Sequence, residues 1–176
     1  TEKEFLENPT QANSFSKSSK DKGSFSIFST GLNSSFEITD SIKFEIPTSY
    51  NLTKRGYDNY GYSNYKFHLV ESKPKLSFES DLSDVKFKSF VGYDFAFTNY
   101  FGNSYSDIER QDEINAYKII QIENSPFVNL SFEFPFNLIF TTSTRYTFAP
   151  IKATKEIVNF YEEQNYESFD YSFGLT

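Results

Sequence analysis

Few side chains in this sequence could do chemistry. Cysteine is absent and His68 is the lone histidine, in Lys66-Phe67-His68-Leu69. Without Cys there is no disulfide scaffold, thiolate metal site or cysteine nucleophile, and one His cannot build a poly-His site. A Ser-His-Asp hydrolase would need His68 within hydrogen-bond reach of a serine, backed by a carboxylate. Serines are abundant, yet the nucleophile-elbow pattern Gly-x-Ser-x-Gly does not occur. His68 points away from Phe67 and Leu69 and is therefore read as a polar-face histidine. The acidic run Asp107, Glu109, Asp112 and Glu113 lacks the Asp-x-[Asp/Asn]-x-[Asp/Asn]-Gly spacing of a calcium loop. It reads as a solvated charged segment. No catalytic residue, metal site or cofactor is expected.

Two other sets of residues suggest binding or pairing. Asn51–Tyr65 reads NLTKRGYDNYGYSNY, with tyrosines among Gly, Asn, Asp and Ser. Tyr supplies large amphipathic contact area at low entropic cost, as in antibody paratopes. Lys54, Arg55, Tyr57, Tyr60 and Tyr62 are therefore expected to form a loop binding surface for an external protein or glycan. The second set is charged: Glu37, Glu79 and Glu133 with Lys43, Lys86, Lys88 and Arg145. Charges taken from water need partners, so these seven are expected to form one ion-pair network that plugs the lumen rather than lining an open aqueous pore. The sequons at Asn33, Asn51 and Asn129 are short enough to arise by chance.

The elements carrying these residues alternate with period two, the signature of strands with one apolar side. Val85, Phe87, Val91, Tyr93, Phe95 and Phe97 oppose Lys86, Lys88, Gly92, Asp94 and Thr98. Val128 to Phe148 continues in the same manner, with Pro135 marking a tight turn near 135–137. Ile42, Phe44 and Ile46 oppose Lys43 and Glu45. Ser-Phe-Glu recurs at 35–37, 77–79 and 131–133, each time before a short turn. The fold is read as all-β, an antiparallel up-and-down meander. Strands are expected at about 24–38, 41–51, 64–80, 85–101, 115–134, 137–149 and 166–176. Long loops are expected at 51–64, 102–114 and 150–165, with a short amphipathic turn near Ala153–Gln164. Residues 1–22 read as a polar loop or flexible arm, and 23–176 as the barrel domain.

Composition narrows the environment. Among 176 residues the apolar fraction is 38%, yet aromatics reach 20%, with 22 Phe, 13 Tyr and no Trp. A net charge of −7 excludes a dominant basic field, and with it nucleic acid as a partner. No stretch nears the ~18 consecutive apolar residues of a membrane helix, and the opening residues carry no signal-peptide pattern. Strands of this length exceed the soluble mode of about 5–6 residues and reach the ~9–11 needed to cross a bilayer. Tyr50, Tyr65, Tyr100, Tyr117, Tyr146 and Tyr166 gather toward the expected loops. Phe36, Phe44, Phe78, Phe87, Phe132 and Phe136 gather toward the short turns. Two such rings of aromatics would frame the apolar band of a transmembrane barrel.

On this pattern residues 23–176 resemble the small eight-stranded, OmpA/OmpX-like outer-membrane barrels. Tyr166–Thr176, with Phe169, Tyr171, Phe173 and Leu175 on one side, is similar to their closing strand. The resemblance implies a transmembrane barrel of eight strands, the first absent from this chain. It also implies a lipid bilayer as partner and a bacterial outer-membrane location with the long loops outside. The function expected is non-enzymatic: loops that bind an external partner or shield the envelope. Two other readings stand beside it, a transport barrel for ions or small solutes and a soluble β-barrel enclosing an apolar ligand. A closed membrane barrel resists SDS when cold. The detergent-solubilised protein should therefore migrate faster unboiled than boiled, and identical mobilities would argue for the soluble reading.

Overall fold

The computed structural model describes residues 23–58, 62–106, 109, 111–155 and 160–176. The strands are β1 (Gly23–Thr39), β2 (Ile42–Asp58), β3 (Tyr62–Ser72), β4 (Lys75–Leu82), β5 (Val85–Tyr105), β6 (Glu113–Phe134), β7 (Leu138–Lys155) and β8 (Phe160–Leu175). All pairings are antiparallel, in the order β1-β2-β3-β5-β6-β7-β8, with β4 also between β2 and β5. This is the all-β up-and-down meander read from the alternation.

β3 and β4 are two halves of one line. β3 pairs with the far part of β2, from Thr48↔Ser72 to Asp58↔Tyr62. β4 pairs with its beginning, from Ile42↔Phe78 to Glu45↔Lys75. The break falls at Lys73-Pro74, because proline has no N–H to give the ladder. Backbone bonds bridge it: Lys73 N donates to Pro47 O at 2.9 Å and Tyr93 N to Pro74 O at 3.0 Å. Seven strand lines therefore stand side by side although eight strands are formed. Pro126 and Pro150 leave a similar mark, since the β6–β7 register thins between Gln121↔Ile151 and Phe127↔Arg145. Among the described residues no ladder joins β1 to β8, so the sheet is an open arc with two edges.

Short turns lie at one end. Asp40-Ser41 joins β1 to β2, Ser83-Asp84 joins β4 to β5, and a 3-10 turn at Pro135–Asn137 joins β6 to β7. The other end departs from expectation. Most of the segments read as long loops, 51–64, 102–114 and 150–165, are strand: β2 runs to Asp58, β5 to Tyr105 and β7 to Lys155. The short helical turn expected near Ala153–Gln164 is strand at both its ends, residues 156–159 lying outside the described residues. The expected arm at 1–22 lies outside them as well. Beyond the apolar band both faces of a strand are polar, so the period-two signal fades while the ladder continues.

Residues opposite each other in the register share a face. One face carries Phe36, Phe44, Leu76, Val91, Val128 and Tyr171 in a single row. Phe78, Phe87, Phe132, Phe140, Phe173 and Leu175 lie nearer the short turns on that face. Most of these side chains are exposed or half-exposed, and among the described residues the buried apolar core is only Ala116 and Ala149. So large a bare apolar face must be covered, and in a transmembrane barrel lipid covers it. The other face is polar, and concavities of about 570 and 560 Å³ open on it.

Phe136 occupies the left-handed region at φ 68° and its side chain is fully exposed. That conformation costs a non-glycine residue about 1–2 kcal/mol. Phe136→Gly should therefore stabilise the β6–β7 hairpin by about 1 kcal/mol, read as a higher urea midpoint of the folded protein in detergent.

Candidate functional site

The pleat divides the residues that sequence spacing had grouped. All seven charges of the expected network lie on the polar face. Glu37 stands opposite Lys43, and Glu133 opposite Lys86. Lys88 Nζ meets Glu79 Oε1 at 3.2 Å. Lys43 and Arg145 pair instead with residues outside the seven. Glu45 receives both Lys43 and Lys75 at 3.0 Å, and Arg145 meets Asp94 at 2.8 Å. Arg145 also lies 5.2 Å above the Phe127 ring, and Lys75 5.5 Å above that of Phe90. The Glu45–Lys75 and Asp94–Arg145 pairs were missed because the partners stand on different strands; Glu45 also takes Lys43 from its own strand. These side chains are partly exposed, so an individual pair of this kind contributes little to stability. Of these charges Lys75 and Arg145, with Asp170, line a concavity of about 570 Å³.

The expected loop surface is not one surface. Lys54, Arg55 and Tyr57 lie on β2 and Tyr62 opens β3, while Tyr60 falls outside the described residues. Lys54 and Tyr62 share the face that is apolar lower down, whereas Arg55 and Tyr57 share the polar face. Neighbours in a strand point to opposite sides, so a strand cannot present consecutive residues together. His68 is also reassigned. It stands opposite Leu52 and Asn99 on the face of Val70 and Phe97, not with the polar set. There its Nδ1 shares a 2.9 Å hydrogen bond with Tyr50 Oη.

What Arg55 and Tyr57 join instead is a row of rings at the far end of the polar face. Tyr57 meets Tyr65 edge-on at 5.8 Å between centroids, Tyr65 stacks on Tyr100 at 6.0 Å, and Tyr100 lies 5.7 Å from Tyr117. Tyr100 and Tyr117 share a hydroxyl contact of 3.3 Å. Thr53, Arg55, Tyr57, Tyr65, Phe67 and Tyr100 line a concavity of about 560 Å³. Arg55 stands opposite Tyr65 in the register and carries its guanidinium 5.0 Å above Phe25. Of the six tyrosines read as one ring, Tyr65, Tyr100, Tyr117 and Tyr166 thus lie on the polar face. Tyr50 and Tyr146 lie on the other.

Gly102 makes the row possible. It stands between Tyr65 and Tyr117 in the register, and a Cβ there would overlap the Tyr117 ring. The missing side chain lets that ring lie flat across β5. Burial, followed by the Tyr100 hydroxyl, pushes the Tyr117 phenol well above the usual tyrosine range. The row offers several π faces, phenol donors and acceptors, and one guanidinium. That combination suits an anionic ligand with delocalised or planar groups. Among the described residues no cluster of three His, Asp or Glu side chains could hold a metal.

No family model matches the chain, and no curated protein matches it. Solved structures do resemble it. The ferric citrate transporter FecA in its unliganded form aligns at a TM-score of 0.74 and 14% identity, over 88% of this chain and 25% of that one. The siderophore receptor PiuA from Acinetobacter baumannii aligns at 0.67 and 12%, over 88% and 30%. BauA, the ferric preacinetobactin receptor from Acinetobacter baumannii, aligns at 0.62 and 12%, over 87% and 28%. The shared property is the transmembrane β-barrel fold. The chain spans between a quarter and a third of the length of these structures.

Gly102→Ala should turn the Tyr117 ring aside and break its hydroxyl contact with Tyr100. The ring tip can move, so stability should change by less than about 1 kcal/mol. The readout is absorbance titration of the phenols at alkaline pH. In the parent protein Tyr117 ionises late; in Gly102→Ala, as in Tyr117→Phe, that late phase should vanish. Because its folded pKa is raised, the stabilisation linked to Tyr117 is present below the unfolded value of about 10. It should fade as the pH rises above that value.

Proposed function

We propose that this chain forms part of the wall of a bacterial outer-membrane receptor barrel, non-enzymatic, that captures an anionic small molecule at its outward inner surface. The observation that carries the reading is the Arg55–Tyr57–Tyr65–Tyr100–Tyr117 row, held on the concave polar face beyond the apolar band. The names of the similar structures, a ferric citrate transporter and siderophore receptors, suggest the ligand class: a ferric chelate with anionic donor groups. Arg55 would pair with its carboxylates, and the tyrosine faces would pack against its flat parts.

A wide barrel is favoured over the eight-stranded OmpA/OmpX-like form. The edges β1 and β8 are 17 and 16 residues long, and long unpaired edges must be covered. In lipid the requirement is absolute, because no water is present to satisfy the backbone. Several further strands between β1 and β8 meet it, as does a small barrel with one added strand. The wide lumen alone leaves the polar face hydrated, in keeping with the half-exposed charges of Glu79, Lys88 and Arg145. Passage of small solutes along this surface is the second reading, and the concavity lined by Lys75, Arg145 and Asp170 favours it, with Asp94 paired to Arg145 beside it.

The test is titration of the detergent-solubilised protein with ferric citrate, followed by calorimetry. Arg55→Gln should weaken binding by about tenfold, the loss of one charge-assisted hydrogen bond of about 1.5 kcal/mol. Tyr100→Ala should weaken it comparably, with folding checked by the cold-SDS gel shift. Parent-like affinity in both folded variants would remove the tyrosine row from ligand capture. Solute flux through liposomes, unaffected by Arg55→Gln but reduced by Asp94→Asn, would favour the second reading.

A further inference from the structure

We propose that Lys54, Lys66 and Lys118 form a docking site for a phosphomonoester lipid headgroup on the outside of the sheet, at the upper edge of its apolar face. The proposal rests on the membrane-spanning reading of that face and not on what the inner surface binds.

One register row carries the site: Ser26, Lys54, Lys66, Phe101, Lys118, Thr154 and Tyr161. Lys54 and Lys66 stand directly opposite each other, where like charges repel and Cβ atoms are about 4.5–5.5 Å apart. Lys118 lies across Phe101 from Lys66, its ammonium 5.2 Å above that ring. The row holds no carboxylate. The row above, Ser24, Gly56, Asn64, Asn103 and Ala116, holds none either. The row below has one, Glu163, and it is taken by Lys152 at 3.4 Å and by the Tyr161 hydroxyl. In a chain of net charge −7, three cations thus stand in one row, and among the described residues no ion pair joins Lys54, Lys66 or Lys118 to a carboxylate; Glu113, above them, accepts from Asn103. An anion from outside the sheet would relieve the repulsion between Lys54 and Lys66.

Position says which anion. Directly beneath the row stand Phe28, Leu52, His68, Asn99 and Ile120, and beneath these the apolar run Tyr50, Val70, Phe97 and Ile122. The row therefore lies at the height where acyl chains give way to headgroups. Lys54 and Lys66 are exposed, and long lysine stems reach along apolar surface while the ammonium stays in the polar layer. One phosphate can accept from both ammonium groups, with Lys118 as a third donor to its free oxygens. The acyl chains would then run down over Leu52, Val70 and Phe97.

The test places the detergent-solubilised protein in phosphatidylcholine bicelles and titrates phosphatidic acid, read by native mass spectrometry. The parent should retain phosphatidic acid. Each lysine changed to glutamine should weaken retention by about fivefold, and the triple variant by on the order of a hundredfold. The triple lysine-to-arginine variant should retain it, which separates loss of charge from loss of folding. A control carrying Lys43→Gln, Lys86→Gln and Lys88→Gln, equal in charge but on the opposite face, should bind as the parent does. Equal retention by the glutamine triple variant, or equal loss in the control, would overturn the site. Displacement of the lipid by inorganic phosphate at matching concentration would overturn the headgroup assignment. A protein monodisperse without detergent would instead overturn the membrane reading on which the site depends.

Discussion

Backbone hydrogen bonding is the constraint on which everything else in this molecule depends. A strand inside a bilayer has no water to satisfy its N–H and C=O groups, so every group must find a partner in a neighbouring strand. The long ladders from β1 through β8 meet that demand line by line. Where proline removes a donor at Pro74, the break is confined to two residues and bridged by Lys73 and Tyr93. The same demand makes the open edges of β1 and β8 the most consequential feature of the arc.

Once the ladders exist, the pleat allots every side chain to one of two environments. Phenylalanine and leucine accumulate on the face that lipid covers, while lysine, glutamate, arginine and serine accumulate on the other. Neither side is a packed core in the usual sense, which is why the small residues Ser125 and Ala149 are among the few buried ones. Ser125 Oγ donates to Thr147 at 3.0 Å, so even this pocket is polar and satisfied. Stability comes from ladders, cross-strand rings and a membrane, with the exposed ion pairs contributing charge balance.

The polar face and the edge of the apolar face are distinct chemical surfaces served by alternate residues of the same strands. On β2, Arg55 joins the tyrosine row inside while Lys54 joins the lysine row outside. On β6, Tyr117 covers Gly102 inside while Lys118 covers Phe101 outside. One stretch of sequence therefore presents two different chemical surfaces at once, since a strand gives each face its own independent series. Changes to either series leave the other in place as long as the ladder between them holds.

Much of this was legible in the sequence. Alternation at Val85–Thr98 and Val128–Phe148, and the turn at Pro135–Asn137, determined the strands, their apolar face and the short-turn end. The seven charges from Glu37 to Arg145 were placed on one face by the same parity. What the sequence left undetermined has one physical cause: hydrogen-bonded pairing acts between strands, and its register is not written in any single one. Strand ends beyond the apolar band, such as Thr53–Asp58, look like loop because both their faces are polar. Only their neighbours' ladders make them strand. The partners Glu45–Lys75 and Asp94–Arg145, the shelter of Tyr117 over Gly102, and the confrontation of Lys54 with Lys66 all follow from register. Tertiary structure alone decided them.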